Sequence, residues 1–429
     1  MPVSDTLPGT GGMTLRARTP GSEMKDRRLL VIFGIVLVDM LSFSLVLPLL
    51  PGYAKSFGAG PLVTGLIFSS YPLMQVFAAP VLGRLSDRFG RKPILLLSIA
   101  GTVGALLLLG SATALWMLFA ARLLDGITGG NISVAQAYMS DITSEADRGK
   151  AFGLVGAAFG IGFIIGPTMG GLLASYGAHV PAFVAAGLAG VNLMLVAMLL
   201  RESLSNDRRA EIAAQPAHGF DIHLLWTVLG LSRVGPLMWV RLVTGFTFAV
   251  FEGGFTVWAA AVLHLGAMGL GLTLGYVGVI QVVIQLGLIG PLTKRFADAP
   301  LIVGASALAA AMLVLWGLAP NLWVLLAIMP FLSLGMAVTN TIIGSALTKA
   351  VHPDQVGGII GLSTSVGSLT RIPAPSVAGL LIQVVGAWAP GVLAGALTVA
   401  IVPYAWERLI RRPDAPLPPR DAEAMAPGL

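Results

Sequence analysis

The stretch GRLSDRFGRKP, Gly83 to Pro93, lies between two long apolar runs, and its reading decides the fold. It gathers four basic residues and one aspartate into eleven positions, in a chain of which only 11% is charged. A looser copy, GPLTKRFADAP, occupies Gly290 to Pro300. Charge placed between greasy runs reads first as a solvated loop that sets orientation in a membrane. Its return 207 residues later points further, to a duplicated architecture in which the segment is a working part.

Composition supports the membrane. Of the 429 residues, 56% are hydrophobic and the mean hydropathy is +0.86, whereas soluble domains sit near about 45–50% apolar and about 25% charged. The net charge of +6 does not read as a nucleic-acid surface, because the basic residues are spread over many short loops rather than gathered on one face. The absence of cysteine excludes disulfides, thiolate zinc sites and iron–sulfur clusters. The apolar run from Leu29 is too long for a signal-peptide core and has no small-residue cleavage site nearby, so it is expected to remain as the first span.

A spanning helix needs about 20 mostly apolar residues. By that rule twelve spans are expected. They begin near Leu29, Pro61, Pro93, Thr113, Ala151 and Pro181, and again near Pro236, Leu270, Leu301, Asn321, Val356 and Ala387. With the amino terminus placed in the cytoplasm, 22 of the 26 Lys and Arg residues fall on inward segments. Lys55 alone lies outward, and Arg122, Arg241 and Arg371 lie within spans. A miscounted span would scramble this alternation. The expected fold class is an all-α membrane protein: twelve transmembrane helices in two pseudo-symmetric six-helix bundles, with both termini cytoplasmic. Residues 1–28 form an amino-terminal cytoplasmic segment, 29–200 the first bundle and 201–235 a polar central loop. Residues 236–407 form the second bundle and 408–429 a Pro-rich, disordered tail.

The halves repeat in detail. Gly83, Leu85, Arg88, Phe89 and Pro93 match Gly290, Leu292, Arg295, Phe296 and Pro300 at an offset of 207. GPTMGGLL, from Gly166, meets APSVAGLL, from Ala374, at an offset of 208. Repeats of this size mark secondary transporters, whose binding site lies between the repeats near the membrane midplane.

Ionisable residues at depth are the candidate machinery. Asp39 lies in the first span, Arg122 and Asp125 in the fourth, Glu252 in the seventh and Arg371 in the eleventh. A charge at the bilayer centre costs about 2.5–3.5 kcal/mol on the insertion scale, so these side chains must face the bundle interior or a wet cavity. Arg122 and Asp125, three residues apart, share a helix face and can pair. Asp39 and Glu252 occupy equivalent spans of the two halves without a partner nearby in sequence. A carboxyl that alternates between wet and dry surroundings can load and release a proton, so these two are the leading proton carriers. Phe43, Gln136, Phe251, Phe255, Trp258, Gln281 and Arg371 are candidates for a substrate cavity. The fifth span is rich in small residues, which let helices approach closely, and Pro167 interrupts a turn there.

No nucleotide-binding GxxxxGK[ST], no HExxH and no GxSxG occurs. An enzyme, a metal site and a cofactor are therefore not expected. The expected partners are a small-molecule substrate, protons and the lipid bilayer, not nucleic acid, and the expected state is a monomer.

These segments resemble the major facilitator superfamily, a group built from such six-helix repeats, and within it the drug:proton antiporters of the bacterial tetracycline-efflux branch. Gly83, Leu85, Asp87, Arg88, Gly90, Arg91 and Lys92 match the superfamily's loop motif between spans two and three. Arg122 and Gly126 match the fourth-span motif. Gly162, Gly166, Pro167, Gly170 and Gly171 match the fifth-span antiporter motif, and Asp39, Pro48 and Pro51 resemble the first-span motif. The resemblance covers about residues 29–405. It implies a rocker-switch carrier in a cell membrane that moves a hydrophobic or amphiphilic drug outward as protons move inward. A sugar or metabolite carrier of the same superfamily, and more remotely a non-transporting receptor or scaffold, are the other readings. The resemblance further implies a cytoplasmic latch, with Asp87 at the amino end of the eleventh span near Gly357 and Gly358, and Arg91 paired with Asp141. The chain departs from the tetracycline pattern in three places. It has Gly104 and Ala105 where those carriers place an acid, Gln281 where they place a histidine, and Glu252 where they place a glutamine.

Overall fold

The computed structural model describes residues 20–143, 148–204, 227–352 and 355–411. The structure is all-helical among these residues. In chain order the helices are α1 (Pro20–Val46), α2 (Leu50–Ser56), α3 (Pro61–Phe89), α4 (Arg91–Gly110), α5 (Leu115–Thr128), α6 (Asn131–Ile142), α7 (Arg148–Leu173) and α8 (Val180–Leu199). Then follow α9 (Val234–Val262), α10 (Ala267–Val283), α11 (Ile289–Arg295), α12 (Asp298–Gly317), α13 (Leu322–Lys349), α14 (Val356–Thr370), α15 (Pro373–Val384) and α16 (Ala389–Ala405). Wider turns at Ile284–Leu288 and Trp406–Arg411 extend α10 into α11 and α16 beyond its end. The helix therefore continues to Arg411, past the expected start of the tail at 408, and residues 412–429 lie outside the described residues. So does 205–226, most of the expected central loop.

Ten helical stretches among the described residues are long and apolar enough to cross a membrane. The two other expected spans are each broken. The fourth is divided into α5 and α6, of 14 and 12 residues, by Gly129 and Gly130. The eleventh is divided into α14 and α15, of 15 and 12 residues. Pro373 opens α15, and a proline removes a backbone donor and crowds the preceding turn.

The segment Gly83 to Pro93 is not a loop. Helix α3 runs through it to Phe89, α4 starts at Arg91, and the whole turn is Gly90. Gly90 has φ 105°, ψ 154°, a region that glycine enters freely because it has no Cβ. The expected solvated loop thus becomes a rigid corner that fixes α3 against α4.

The buried apolar residues fall into three clusters. One joins both halves: it contains Leu45, Leu49 and Leu50 from the first and Phe255, Trp258 and Trp316 from the second. The other two belong to one half each, around Ile32, Ile99 and Tyr138 and around Met238, Ile302 and Ile343. The same division appears in close backbone approaches. A Cβ on Gly171 would stand 2.6 Å from the Ala267 carbonyl oxygen, and one on Gly379 would stand 3.0 Å from the Cα of Leu62. Ser69 and Ser376 share a hydrogen bond of 2.7 Å across α3 and α15. At the opposite end, a Cβ on Gly83, Gly287, Gly290 or Gly358 would meet nothing within 4 Å. Among the described residues the halves pack closely at one end, and these glycines meet no neighbour at the end carrying Gly90.

Glycines also seat α7 on α1. Gly162, Gly166 and Gly170 recur every four residues and so share one helix face. A Cβ on Gly162 would stand 2.6 Å from that of Met40, and side chains on Gly166 and Gly170 would collide with Ser44 and Leu45. The Ser44 hydroxyl donates to the Gly162 carbonyl at 2.9 Å. Helix α7 continues through Pro167, which costs the turn one backbone hydrogen bond without ending the helix.

Candidate functional site

The break between α5 and α6 builds the first polar site. It places Asn131 at the start of α6, where its Nδ2 donates to Asp39 Oδ1 of α1 at 2.6 Å. The carbonyl of Gly129, freed by the break, accepts from Gln75 Nε2 at 2.9 Å. Buried backbone groups need such partners, which accounts for a glutamine at this depth. Arg122 is 4% exposed. It pairs with Asp125 at 3.0 Å and lies 4.6 Å from the ring centroid of Tyr71 and 5.9 Å from that of Phe43. Asp39, Phe43, Tyr71, Arg122, Asp125 and Asn131 border a void of about 20 Å³, roomy enough for one water. The arginine is engaged by Asp125, so Asp39 faces a neutral donor. Tyr71, Gln75 and Asn131 had no place in the sequence reading. The letters GGN in mid-span were the available signal for Asn131.

The second polar site is a cavity of about 360 Å³ in the second half, lined by Arg241, Gln281, Gln285, Asn340, Ser368 and Arg371 among others. Arg371 lies in the break after α14, where a helix carboxyl end favours a cation. Its Nη2 pairs with Glu252 Oε2 of α9 at 3.2 Å. Glu252, which has no partner nearby in sequence, has one from a distant span. Arg241 donates from Nη1 to Asn340 Oδ1. Gln281 and Arg371 line this cavity. Phe251, Phe255 and Trp258 do not. They form an aromatic cluster with Trp316 in the core shared by the halves, in which Phe251 and Trp258 meet Trp316 edge-on at 5.0 and 5.6 Å and Phe255 lies beside both. Gln136 is exposed and borders neither site.

The third site is the corner at Gly90. Arg91 is 7% exposed and pairs with Asp87 at 2.7 Å and with Asp141 of α6 at 3.1 Å. It also donates to Ser86 Oγ at 2.7 Å. Glu202 accepts from the backbone amides of Arg91 and Lys92 at 2.9 and 3.1 Å, which sets an anion against the amino end of α4. Arg88 sits 5.5 Å from the Phe89 ring centroid, as Arg295 does at 5.8 Å from Phe296. Asp87, implied by resemblance to rest on the amino end of the eleventh span, is engaged by Arg91. A Cβ on Gly358 at that end would meet nothing within 4 Å among the described residues.

The second half repeats the corner with its charges exchanged. Asp298 lies 207 residues after Arg91, Lys349 lies 208 after Asp141, and the two pair at 2.7 Å. Lys349 is 65% exposed, so this pair stabilises little. Lys349→Ala should change stability by less than about 1 kcal/mol. Arg91→Ala strands two carboxylates and should cost about 2–3 kcal/mol, since the lost partner is buried and theirs are only partly so. Thermal unfolding of both variants in one detergent checks this, and equal shifts would contradict it.

The family model described as Major Facilitator Superfamily matches residues 32–375. The chain is 34% identical over 82% of its length to the class C tetracycline resistance protein of Escherichia coli, covering 89% of that protein. It is 30% identical over 82% of its length to the class H protein of Pasteurella multocida, covering 88% of that one. Among solved structures it is similar to a bacterial homologue of the human lysosomal transporter Spinster. There the TM-score is 0.73 at 12% identity, over 91% of this chain and 97% of the other. It is also similar to the human organic anion transporter MFSD10 (TETRAN), with a TM-score of 0.66 at 23% identity over 90% of this chain and 100% of the other. These structural likenesses speak for the fold alone. Taken with the apolar helices and the glycine-packed halves, the family match is decisive: the chain belongs to the Major Facilitator Superfamily, is a multi-pass membrane transporter rather than an enzyme, and has the tetracycline resistance proteins among its relatives.

Proposed function

We propose that the protein exports a hydrophobic or amphiphilic drug in exchange for protons by alternating access. It works as a monomer in the inner or plasma membrane, with both termini cytoplasmic. The broken pairs α5–α6 and α14–α15 serve as the fourth and eleventh spans and bring the count to twelve, six in each half. The observation that carries the reading is Asp39. It is a carboxyl in a membrane-embedded void, with a neutral hydrogen-bond donor, and Arg122 of the same void is already engaged by Asp125. Such an acid can hold a proton in one conformation and lose it in another as water and the Arg122–Asp125 pair approach or withdraw. The shared core at one end and separate cores at the other fit a carrier open to the cytoplasm. The close approaches of Gly65 to Pro375, Gly171 to Ala267, Gly271 to Pro167 and Gly379 to Leu62 are then the outer gate.

The relatives' names bring drugs, tetracycline among them, to the test. Inverted membrane vesicles with an acid interior should take up members of a drug panel and lose protons in step. Uptake that continues unchanged after the gradient is collapsed would replace exchange by facilitated diffusion.

A further inference from the structure

The charges that line the large cavity are positive: Arg241 and Arg371 line it, and no carboxylate is among its described lining residues. The remaining polar lining is hydroxyl and amide, including Thr339, Asn340, Gln281 and Gln285. Glu252, which pairs with Arg371, stands outside the lining. Arg241 has no anion among its described partners. Nη1 donates to a neutral amide oxygen, and Nε is buried without a partner among the described residues. Its Nη2 lies 3.5 Å from where a Cβ would stand on Gly367. The guanidinium therefore rests on α14 one helical turn before Arg371, and the two cations front the same space. Arg241, Arg371 and Glu252 sum to one positive charge, and Asp39, Arg122 and Asp125 sum to one negative. A membrane-embedded cation without a counter-ion is costly, and here the bilayer protein leaves room beside it. The cavity volume falls within the roughly 300–1,000 Å³ range of small-molecule sites.

We infer that this cavity binds the transported molecule as an organic anion, an amphiphile whose single carboxylate or sulfonate lies between Arg241 and Arg371. Planar guanidinium groups match the two oxygens of such a group in a way amides cannot. The anion completes the donor set of Arg241 and supplies the missing negative charge. The two halves then divide the work, acids on one side for protons and arginines on the other for cargo. The inference rests on the proposed function in taking the cavity as the cargo site.

The test is equilibrium binding by fluorescence in phosphatidylcholine nanodiscs, with three probes sharing one fluorophore: dansylglycine, its neutral methyl ester and cationic dansylcadaverine. Dansylglycine should bind at least about tenfold more tightly than the other two, and Arg241→Gln should remove that preference by weakening the anion alone. Glu252→Gln frees Arg371 and should tighten the anion severalfold, an effect of opposite sign to structural damage. Equal binding of the three probes, or an unchanged dansylglycine affinity in both variants, would overturn the inference. If phosphatidylglycerol in the nanodisc displaces the probe in an Arg241-dependent way, the occupant is a lipid headgroup and the cargo assignment falls. Binding needs no proton gradient, so it can hold where proton exchange fails. Gradient-driven uptake of dansylcadaverine without dansylglycine binding would keep the exchange and sink the anion.

Discussion

Asp39→Asn should reduce gradient-driven drug uptake by inverted vesicles to the background of vesicles lacking the protein, while exchange of labelled for unlabelled drug at equal pH continues. Asparagine keeps the size of the side chain and can accept the Asn131 amide hydrogen in place of Asp39 Oδ1, so the void and the packing of α1 on α7 persist. What is lost is the ability to change charge. A carrier that cannot unload a proton on one side has no way to draw on the gradient, yet its halves can still rock with drug bound. Retained coupling in this variant would move the proton site elsewhere, with Asp125 the remaining acid of the same void. Loss of both uptake and exchange would mean that Asp39 serves the conformational change itself.

The second large effect is on stability. Arg122→Leu leaves Asp125 in the membrane without its cation, and removing one member of a buried pair costs about 3–5 kcal/mol. Most of that cost is the stranded charge, not the lost contact. The double variant Arg122→Leu/Asp125→Leu should therefore recover most of the unfolding midpoint, with drug uptake still impaired. Thermal unfolding in detergent measures the first and vesicle uptake the second. A double variant as unstable as the single one would show that the arginine acts mainly by stacking on Tyr71 and Phe43.

Much of this arrangement was legible in the letters. Long apolar runs mark the ten stretches that can span a membrane, because hydrophobic length is a property of composition. Buried ions are legible for the same reason, being rare and expensive in such runs. Partners are not. Asp39 and Asn131 lie 92 residues apart, and Glu252 and Arg371 lie 119 apart in the sequence, so only the packing of helices joins them. Direction is also hidden. Phe251, Phe255 and Trp258 follow at intervals of four and three, which marks one helix face. That periodicity says a face is buried without saying whether it meets a cavity or a core. Here it meets the core, and the polar residues Arg241, Gln281 and Asn340 line the cavity instead. The Gly90 corner was misread as a loop because its charges are dense. Most of them decorate helix ends, and the chain turns on one residue.

The exchanged pair bears on how the two halves should be compared. Position by position, Arg91 stands against Asp298 and Asp141 against Lys349, two outright mismatches of the kind that lower any alignment score. As a contact they are a single match, an ion pair tying the start of α4 to the end of α6 in one half and the start of α12 to the end of α13 in the other. Descent by single changes from one polarity to the other passes through a like-charged or half-neutral intermediate. The exposed half tolerates such intermediates far better than the buried one, so the exposed corner is where drift of this sort can accumulate. Ancestry in duplicated carriers is thus better traced by which pairs of positions covary than by which letters persist.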